Sequence, residues 1–355
     1  MRVVLARNDN AVASKLLQSR FWAEFKSLSG WSYSRYEVSI PDTASTLFAL
    51  SVLERGLGAG SRFAYVPHGP DAQVKPGDET ALLAALSKEL QPLVSPQCMF
   101  IRFDPAWHTA APLAASEGSK TRPERPCFGA PLIKASDVQP PDSVVLDIGR
   151  TDDELLAVMK PKWRYNVRLA EKKGVTVADE GTKALDEFYT LYQATAERDR
   201  IGIHPKEYYA QLMGLEHRNP KEPKPDLRLW IARFEGKALA AIMTVFHGSE
   251  ATYLYGASSD EHRNLMPAYA LQWAAMRAAR DAGCSSYDFY GIPPVDDPAH
   301  AMSGLYRFKT GFGGEIRHYA GAWDFVLKPA VYTAFRVAER ARLFWHKSVR
   351  KKLAR

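Results

Sequence analysis

Apolar and polar positions recur in the same order twice along the chain. In the first part, "WSYSRYEVSI", "STLFALSVLE" and "SRFAYVPHGP" (31–40, 45–54, 61–70) have strand-like patterning bounded by Pro41–Asp42 and "GLGAG". "DETALLAALSKELQ" (78–91) has helical spacing with an acidic start, and "QCMFIRFDP" (97–105) returns as a strand ended by proline. Further on, residues 226–258 predict three strands joined at Glu235–Gly236 and Gly248–Ser249. The helix "MPAYALQWAAMRAARDAG" (266–283), closed by Gly283, and the strand "SYDFYGI" (286–292) follow. Strands, helix, strand, written twice, predicts an α/β (α+β) chain made of a duplicated unit with mixed, mostly antiparallel sheets.

Between the two patterns, residues 105–143 are rich in Pro, Ala, Ser and charge and are expected to hold connecting loops. A boundary near residue 150 gives domains at 1–150 and 151–320, with 321–355 packing back on the first. Thr151 caps a helix opened by Asp152–Asp153–Glu154 and ended at Gly174, and Pro161 must kink or split it. "TKALDEFYTLYQATAERDRI" and "HPKEYYAQLMGLEHR" predict two more helices. "GLYRFKTGFGGE" (304–315) reads as a buried strand entering a glycine turn, with Lys309 framed by Tyr306, Phe308 and Phe312.

Composition sharpens this picture in three ways. The length of 355 residues suits two domains, and 46% hydrophobic with 25% charged residues is ordinary for a globular protein. The opening "MRVVLARNDNAVASKLL" has no sustained apolar core before Asn8–Asp9–Asn10, so no signal peptide is expected, and no stretch approaches the ~20 apolar residues of a membrane span. Cys98, Cys127 and Cys284 are the only cysteines and stand far apart, which fits a reducing cytoplasm rather than a disulfide framework. The net charge of +7 is equal to that of residues 335–355, which hold eight Lys or Arg against Glu339.

Several chemistries have no motif here. The chain contains no G-x-S-x-G, H-E-x-x-H or G-x-x-x-x-G-K-[ST], and no histidine pair spaced as metal ligands. Acyl transfer from an activated ester to an amine needs neither metal nor covalent nucleophile. It needs alignment, a cation for the growing oxyanion and a proton acceptor. A lysine held among aromatics, Lys309, suits the oxyanion, since its ammonium is a localised charge with three donors. The same pattern also fits a lysine snorkelling from an edge strand to solvent.

"FWAEFKSLSGW", "FAYVPHGP", "FIRFDP", "KPKWRYNVRLAEKKGV", "YLYGASSDEHRNLMPAYALQW", "YDFYGI" and "LYRFKTGFGGE" occur in this order from residue 21 to 315. Together these blocks resemble the Fem family (FemABX) of peptidoglycan branch-forming aminoacyltransferases. The resemblance implies two tandem acetyltransferase-like (GNAT) domains and no cofactor. It also implies aminoacyl-tRNA as donor and the side-chain amine of a UDP-linked or lipid-linked muropeptide as acceptor. Phe308 and Lys309 match the family's "FK" pair and would line the reaction centre, with Lys309 steadying the oxyanion and the departing tRNA end. Asp104 matches an acid near the acceptor amine, although an Asp capping the turn before Pro105 explains it equally. Lys26 matches a lysine that meets precursor phosphate. Tyr208 and Tyr255 match tyrosines of the precursor site and are also compatible with core aromatics.

Two departures narrow the resemblance. His204 precedes "Pro-x-x-Tyr" where a soluble-precursor member presents an arginine, and near its ordinary pKa of ~6.5 it is a weaker phosphate ligand. No helical hairpin arm fits between residues 204 and 226, so the chain resembles the compact members. Residues 160–173 carry six Lys or Arg against one acid. Lys162, Arg164, Arg168 and Lys172 are the candidate tRNA contacts, or else a solvated helix face. Val337, Ala341, Phe344, Trp345, Val349 and Leu353 take helical spacing in the basic tail, which suggests peripheral contact at the inner face of the plasma membrane. The other function classes compatible with the residues are an acyl-CoA-dependent N-acyltransferase and a non-catalytic RNA- or membrane-binding protein.

Overall fold

In the computed structural model, residues 1–40, 46–58, 60–113, 118, 121 and 123–344 are described. The first unit runs β1 (Val4–Arg7), α1 (Arg20–Ser27), β2 (Ser32–Ile40), β3 (Thr46–Gly58), β4 (Ser61–Pro67), α2 (Glu79–Leu90) and β5 (Cys98–Asp104). Next come β6 (His108–Pro112), β7 (Leu132–Lys134) and β8 (Asp142–Asp147). Then follow α3 (Asp152–Val158), α4 (Pro161–Lys172), β9 (Thr176–Asp179), α5 (Leu185–Asp199) and α6 (Lys206–Gly214). The chain continues through β10 (Asp226–Phe234), β11 (Lys237–His247), β12 (Glu250–Ser258), α7 (Pro267–Asp281), β13 (Ser286–Gly291) and α8 (Ser303–Thr310). It closes with β14 (Glu315–Tyr319), β15 (Trp323–Val326) and α9 (Pro329–Phe344).

Two mixed sheets result, in the orders β1-β2-β3-β4-β5-β15-β7 and β6-β14-β8-β13-β12-β11-β10-β9. Each contains antiparallel strands and one parallel pair made across a helix: β4 with β5 over α2, and β12 with β13 over α7. The strands do not sort at residue 150. β6 and β8 belong to the second sheet, while β15, from the end of the chain, inserts between β5 and β7 of the first. The loop-rich reading of 105–143 missed β6, β7 and the start of β8.

Buried apolar residues explain the layers. Leu82, Leu83, Leu86 and Leu90 put one face of α2 against the first sheet, and Leu271, Ala275, Met276 and Ala279 do the same for α7 on the second. Pro161 does split its helix: α3 ends at Val158 and Pro161 opens α4 at a position where its missing N–H costs nothing. Thr151 forms the capping box with Glu154.

The aromatic run around Lys309 is a helix, not the expected strand. Tyr306, Lys309 and Thr310 are its buried positions, an i, i+3, i+4 set that the alternation of Tyr306 and Phe308 concealed. Gly313 and Gly314 then turn the chain at φ 99° and 100°, and a Cβ on Gly314 would collide with the Val145 carbonyl.

Two buried ion pairs fix the long-range arrangement. Arg102 of β5 grips Asp324 of β15 at 2.7 and 2.9 Å, and Tyr332 of α9 donates to the same carboxylate at 2.9 Å. Between the units, the guanidinium of Arg35 meets Glu222 from the loop before β10, both side chains fully buried. Tyr332 and Phe335 of α9 pack on Phe100, whereas Val337 is 63% exposed. Residues 345–355, with Trp345, Val349 and Leu353 of the proposed membrane stripe, lie outside the described residues, as do the side chains of residues 340 and 342–344. Among the described residues no helix is long and apolar enough to cross a membrane.

Candidate active site

The two parallel pairs differ at their ends, and the difference creates a site. β12 pairs with β13 only from Glu250–Ser286 to Thr252–Asp288. Against β11 the register of β12 shifts between Thr244–Tyr253 and Met243–Tyr255, leaving one extra residue, Leu254. Such a bulge bends its strand. Beyond it β12 and β13 are no longer paired.

Lys309 reaches into this opening from α8. Its Nζ donates to the carbonyls of Tyr290 at 3.0 Å and Gly291 at 2.9 Å, and it lies 5.2 Å from the centre of the Tyr253 ring. The residue is only 5% exposed. The ammonium thus points inward, toward the second sheet, rather than to bulk water. Burial drives its pKa down to about 7, and the Asp288 carboxylate opposes that fall. Asp288 is buried in turn and takes hydrogen bonds from Ser143 and from the Tyr290 N–H, the latter at 2.7 Å. Burial raises its pKa despite these donors.

Asp104 ends β5 and is 2% exposed. Its Oδ2 accepts from the Gln139 N–H at 3.0 Å and from the Tyr65 hydroxyl at 3.1 Å. Burial lifts its pKa to about 6, with both donors pulling the other way. The Gln139 side chain spans from Tyr65, at 3.2 Å, to the Tyr290 hydroxyl, at 2.6 Å. Asp104 of the first sheet and Lys309 of the second are therefore joined through Gln139 and Tyr290. The link between Asp104 and Pro105 is a strand end, yet the carboxylate is engaged with Gln139 and Tyr65 and not with a turn N–H after it.

The four candidate precursor residues also come together. Lys26 of α1 sits 5.5 Å from the Tyr208 ring centre, and His204 stacks on Tyr208 at 3.9 Å and 17°. Burial lowers the pKa of both Lys26 and His204, and the charge of Lys26 adds to the effect on His204. The Tyr208 and Tyr255 phenols influence one another, and Tyr255 packs edge-on against Tyr209 at 5.1 Å. Tyr290 is near enough for its phenol to influence both Tyr208 and Tyr255. The structure thus places Lys26, His204, Tyr208 and Tyr255 as one aromatic, weakly cationic wall leading to Tyr290.

Phe308 stands apart from this wall. Its ring packs against Tyr269 at 5.2 Å and Phe312 at 5.3 Å, and its carbonyl accepts from the Trp163 indole at 2.8 Å. Trp163 belongs to the basic helix α4, which is thereby latched to the lysine helix. On α4, Lys162, Arg168 and Lys172 are exposed and form no ion pair among the described residues. Arg164 differs: its guanidinium caps the carbonyls of Leu156, Ala157 and Met159 at 3.3, 3.0 and 2.8 Å, the free end of α3.

Tyr65, Gln139, Tyr253, Asp288 and Tyr290 were not singled out from the sequence. Asp288 alone left a signal, as the charged residue in the otherwise apolar "YDFYGI". Gln139 lies in the loop-rich stretch, where nothing distinguishes it. Among the described residues no group of His, Cys, Asp and Glu is arranged to hold a metal ion.

Two mixed sheets that exchange segments of the chain thus hold the buried Lys309 and Asp104 at the two ends of one hydrogen-bonded line. The chain belongs to the FemAB family, whose profile matches residues 8–215 and 231–340. It is 26% identical over 375 residues, 89% of each chain, to a lipid II:glycine glycyltransferase of Staphylococcus saprophyticus subsp. saprophyticus. The corresponding figures for the lipid II:glycine glycyltransferase of Staphylococcus aureus (strain MRSA252) are 25% over 382 residues, again 89% of each. Among solved structures, FemX superposes with a TM-score of 0.73 at 21% identity, over 92% of this chain and 96% of that one, a likeness of fold.

Proposed function

We propose that this protein transfers an aminoacyl group from aminoacyl-tRNA to the side-chain amine of a lipid-linked peptidoglycan precursor. The observation that carries this reading is the buried ammonium of Lys309, fixed by the Tyr290 and Gly291 carbonyls and joined through Gln139 to Asp104. The acceptor amine attacks the ester carbonyl, forming a C–N bond and a tetrahedral oxyanion. Two of the three Lys309 N–H groups are already committed to carbonyls, so the third is the one that meets the oxyanion. Asp104 takes the proton lost by the nitrogen. The C–O bond to the tRNA ribose then breaks, and Asp104 returns that proton to the departing 3′ oxygen, which restores the carboxylate.

The weakly cationic wall supports the lipid-linked acceptor. His204, its pKa lowered by burial and by Lys26, is neutral near pH 7, so Lys26 is the wall's main positive charge. The relatives that match most of the chain are named for lipid II. The exposed cations Lys162, Arg168 and Lys172 give the tRNA phosphates a surface latched to the lysine helix.

Incubating the protein with labelled aminoacyl-tRNAs and both precursor forms tests this. Label is expected in the lipid-linked precursor. Label in the UDP-linked form alone overturns the acceptor, and label in neither favours an acyl-CoA donor.

A further inference from the structure

We propose that Tyr290 is a positioning residue whose hydroxyl heads a one-way chain of hydrogen bonds, through Gln139 and Tyr65, that keeps the Asp104 carboxylate aimed and ready to accept a proton. The proposal rests on the transfer reading above only for the use to which that proton is put.

The direction of the chain follows from what each group can donate. An ionised Asp104 can only accept, so the Tyr65 hydroxyl must donate to it, at 3.1 Å. The Tyr65 oxygen is then left to accept, and the donor facing it is the Gln139 amide Nε2, at 3.2 Å. That leaves the Gln139 carbonyl for the Tyr290 hydroxyl, which donates at 2.6 Å. All the dipoles therefore point toward Asp104, and polarised chains strengthen along their length. The Gln139 main-chain N–H adds a direct donor at 3.0 Å.

Tyr290 is built for this and not for strand pairing. Its φ is +60°, in the left-handed region that a bulky side chain adopts at a cost of ~1–2 kcal/mol. Every polar group it owns is used: the N–H on Asp288, the carbonyl on Lys309 and the hydroxyl on Gln139. The same backbone twist thus seats Lys309 and starts the chain to Asp104. The other charged groups facing Asp104 are Asp137 and Lys134, on the segment from β7 onward, with opposite effects on it. On the Tyr290 side they are Asp288, with Tyr208 as the neighbouring phenol.

The test follows the Asp104 carboxyl directly, by carbon NMR titration of full-length protein labelled at aspartate, with Asp104→Asn identifying the signal. Relative to wild type, Tyr65→Phe is expected to raise the midpoint by about one pH unit, since it removes a hydrogen bond to a charge. Tyr290→Phe, two links away, is expected to raise it by about 0.3 unit. Gln139→Met breaks the same link from the other side and serves if Tyr290→Phe folds poorly. A midpoint unmoved in Tyr290→Phe and Gln139→Met overturns the relay. In transfer assays the acidic limb of kcat/KM should follow, with a ~2-fold loss below it for Tyr290→Phe. A midpoint that moves while the limb stays supports the relay and removes Asp104 from the transfer step.

Discussion

The pairs β4–β5 and β12–β13 are the same construction with opposite outcomes. The first stays paired to its end, from Arg62–Cys98 to Pro67–Asp104, with one irregularity near its start. The second stops at Thr252–Asp288, and its opening takes the Lys309 side chain under the Tyr253 ring. A closed pair offers only what projects from its end, which here is Asp104. An open pair exposes two strands' worth of carbonyls and hydrogen-bond donors to an incoming group. The two pairs thus differ next to one extra residue, Leu254, where β12 shifts register against β11.

The strongest way to break this comparison is to remove the charge from the open pair. Lys309→Met should lower kcat by about 10²–10³-fold, the range for losing one preorganised donor to an oxyanion. Its thermal midpoint should fall below that of wild type, because the buried Tyr290 and Gly291 carbonyls lose their donor and the buried Asp288 carboxylate loses its cation. Single-turnover transfer and a melting curve check the two halves of this statement. An unchanged kcat would leave the opening without a catalytic role.

Next in size is the joint between the units. Glu222→Ala leaves Arg35 buried and uncompensated and should cost about 3–5 kcal/mol in urea unfolding. The double substitution Arg35→Met, Glu222→Leu should recover most of that loss. Additive losses would show that the two residues act separately.

A smaller effect is expected from crowding the roof of the opening. A Cβ on Gly256 would collide with the Tyr253 hydroxyl, so Gly256→Ala must shift the ring over Lys309. Overpacking of this kind costs about 1–3 kcal/mol, and kcat should fall with it. Unaltered kinetics would mean the ring is not part of the lysine's setting.

The finest adjustment is in pH. In the proposed transfer Asp104 must be ionised to accept a proton, so its raised pKa of about 6 is expected to set the acidic limb. Lys309 must be protonated to meet the proposed oxyanion, so its lowered pKa of about 7 is expected to set the basic limb. The kcat/KM profile should therefore be a narrow bell between these values. Asp288→Asn removes the carboxylate that favours the charged lysine, so the basic limb should move to lower pH. Movement to higher pH would reverse the sign of that interaction.

The repeated strand–helix–strand order was legible because each long strand and each core helix carries its own period. β10, β11 and β12 fall where residues 226–258 place them, and α2 and α7 where leucine and alanine spacing put them. The short strands β6, β7, β14 and β15 were not legible, since a few residues carry no period and their partners are distant in sequence. The same limit hid the helix of Lys309, where eight residues with aromatics at alternate positions imitate a strand. Of the site, Lys309 came first from its aromatic frame, Asp104, Lys26, Tyr208 and Tyr255 came from block resemblance, and His204 came as a departure from it. Tyr290 and Gln139 could not, because what matters in them is a left-handed backbone and a place in a loop, and neither leaves a compositional mark.

The exchange of strands has a consequence for how the chain can be divided. β6 and β8 leave the first half to join the second sheet, and β15 leaves the second half to complete the first. Any single cut near the middle therefore strips one half of an interior strand, and neither fragment retains a whole sheet. A circular permutant carrying β15 on the amino-terminal side and cut between β7 and β8 would keep every strand of the first sheet on one fragment and strip only the edge strand β6 from the second.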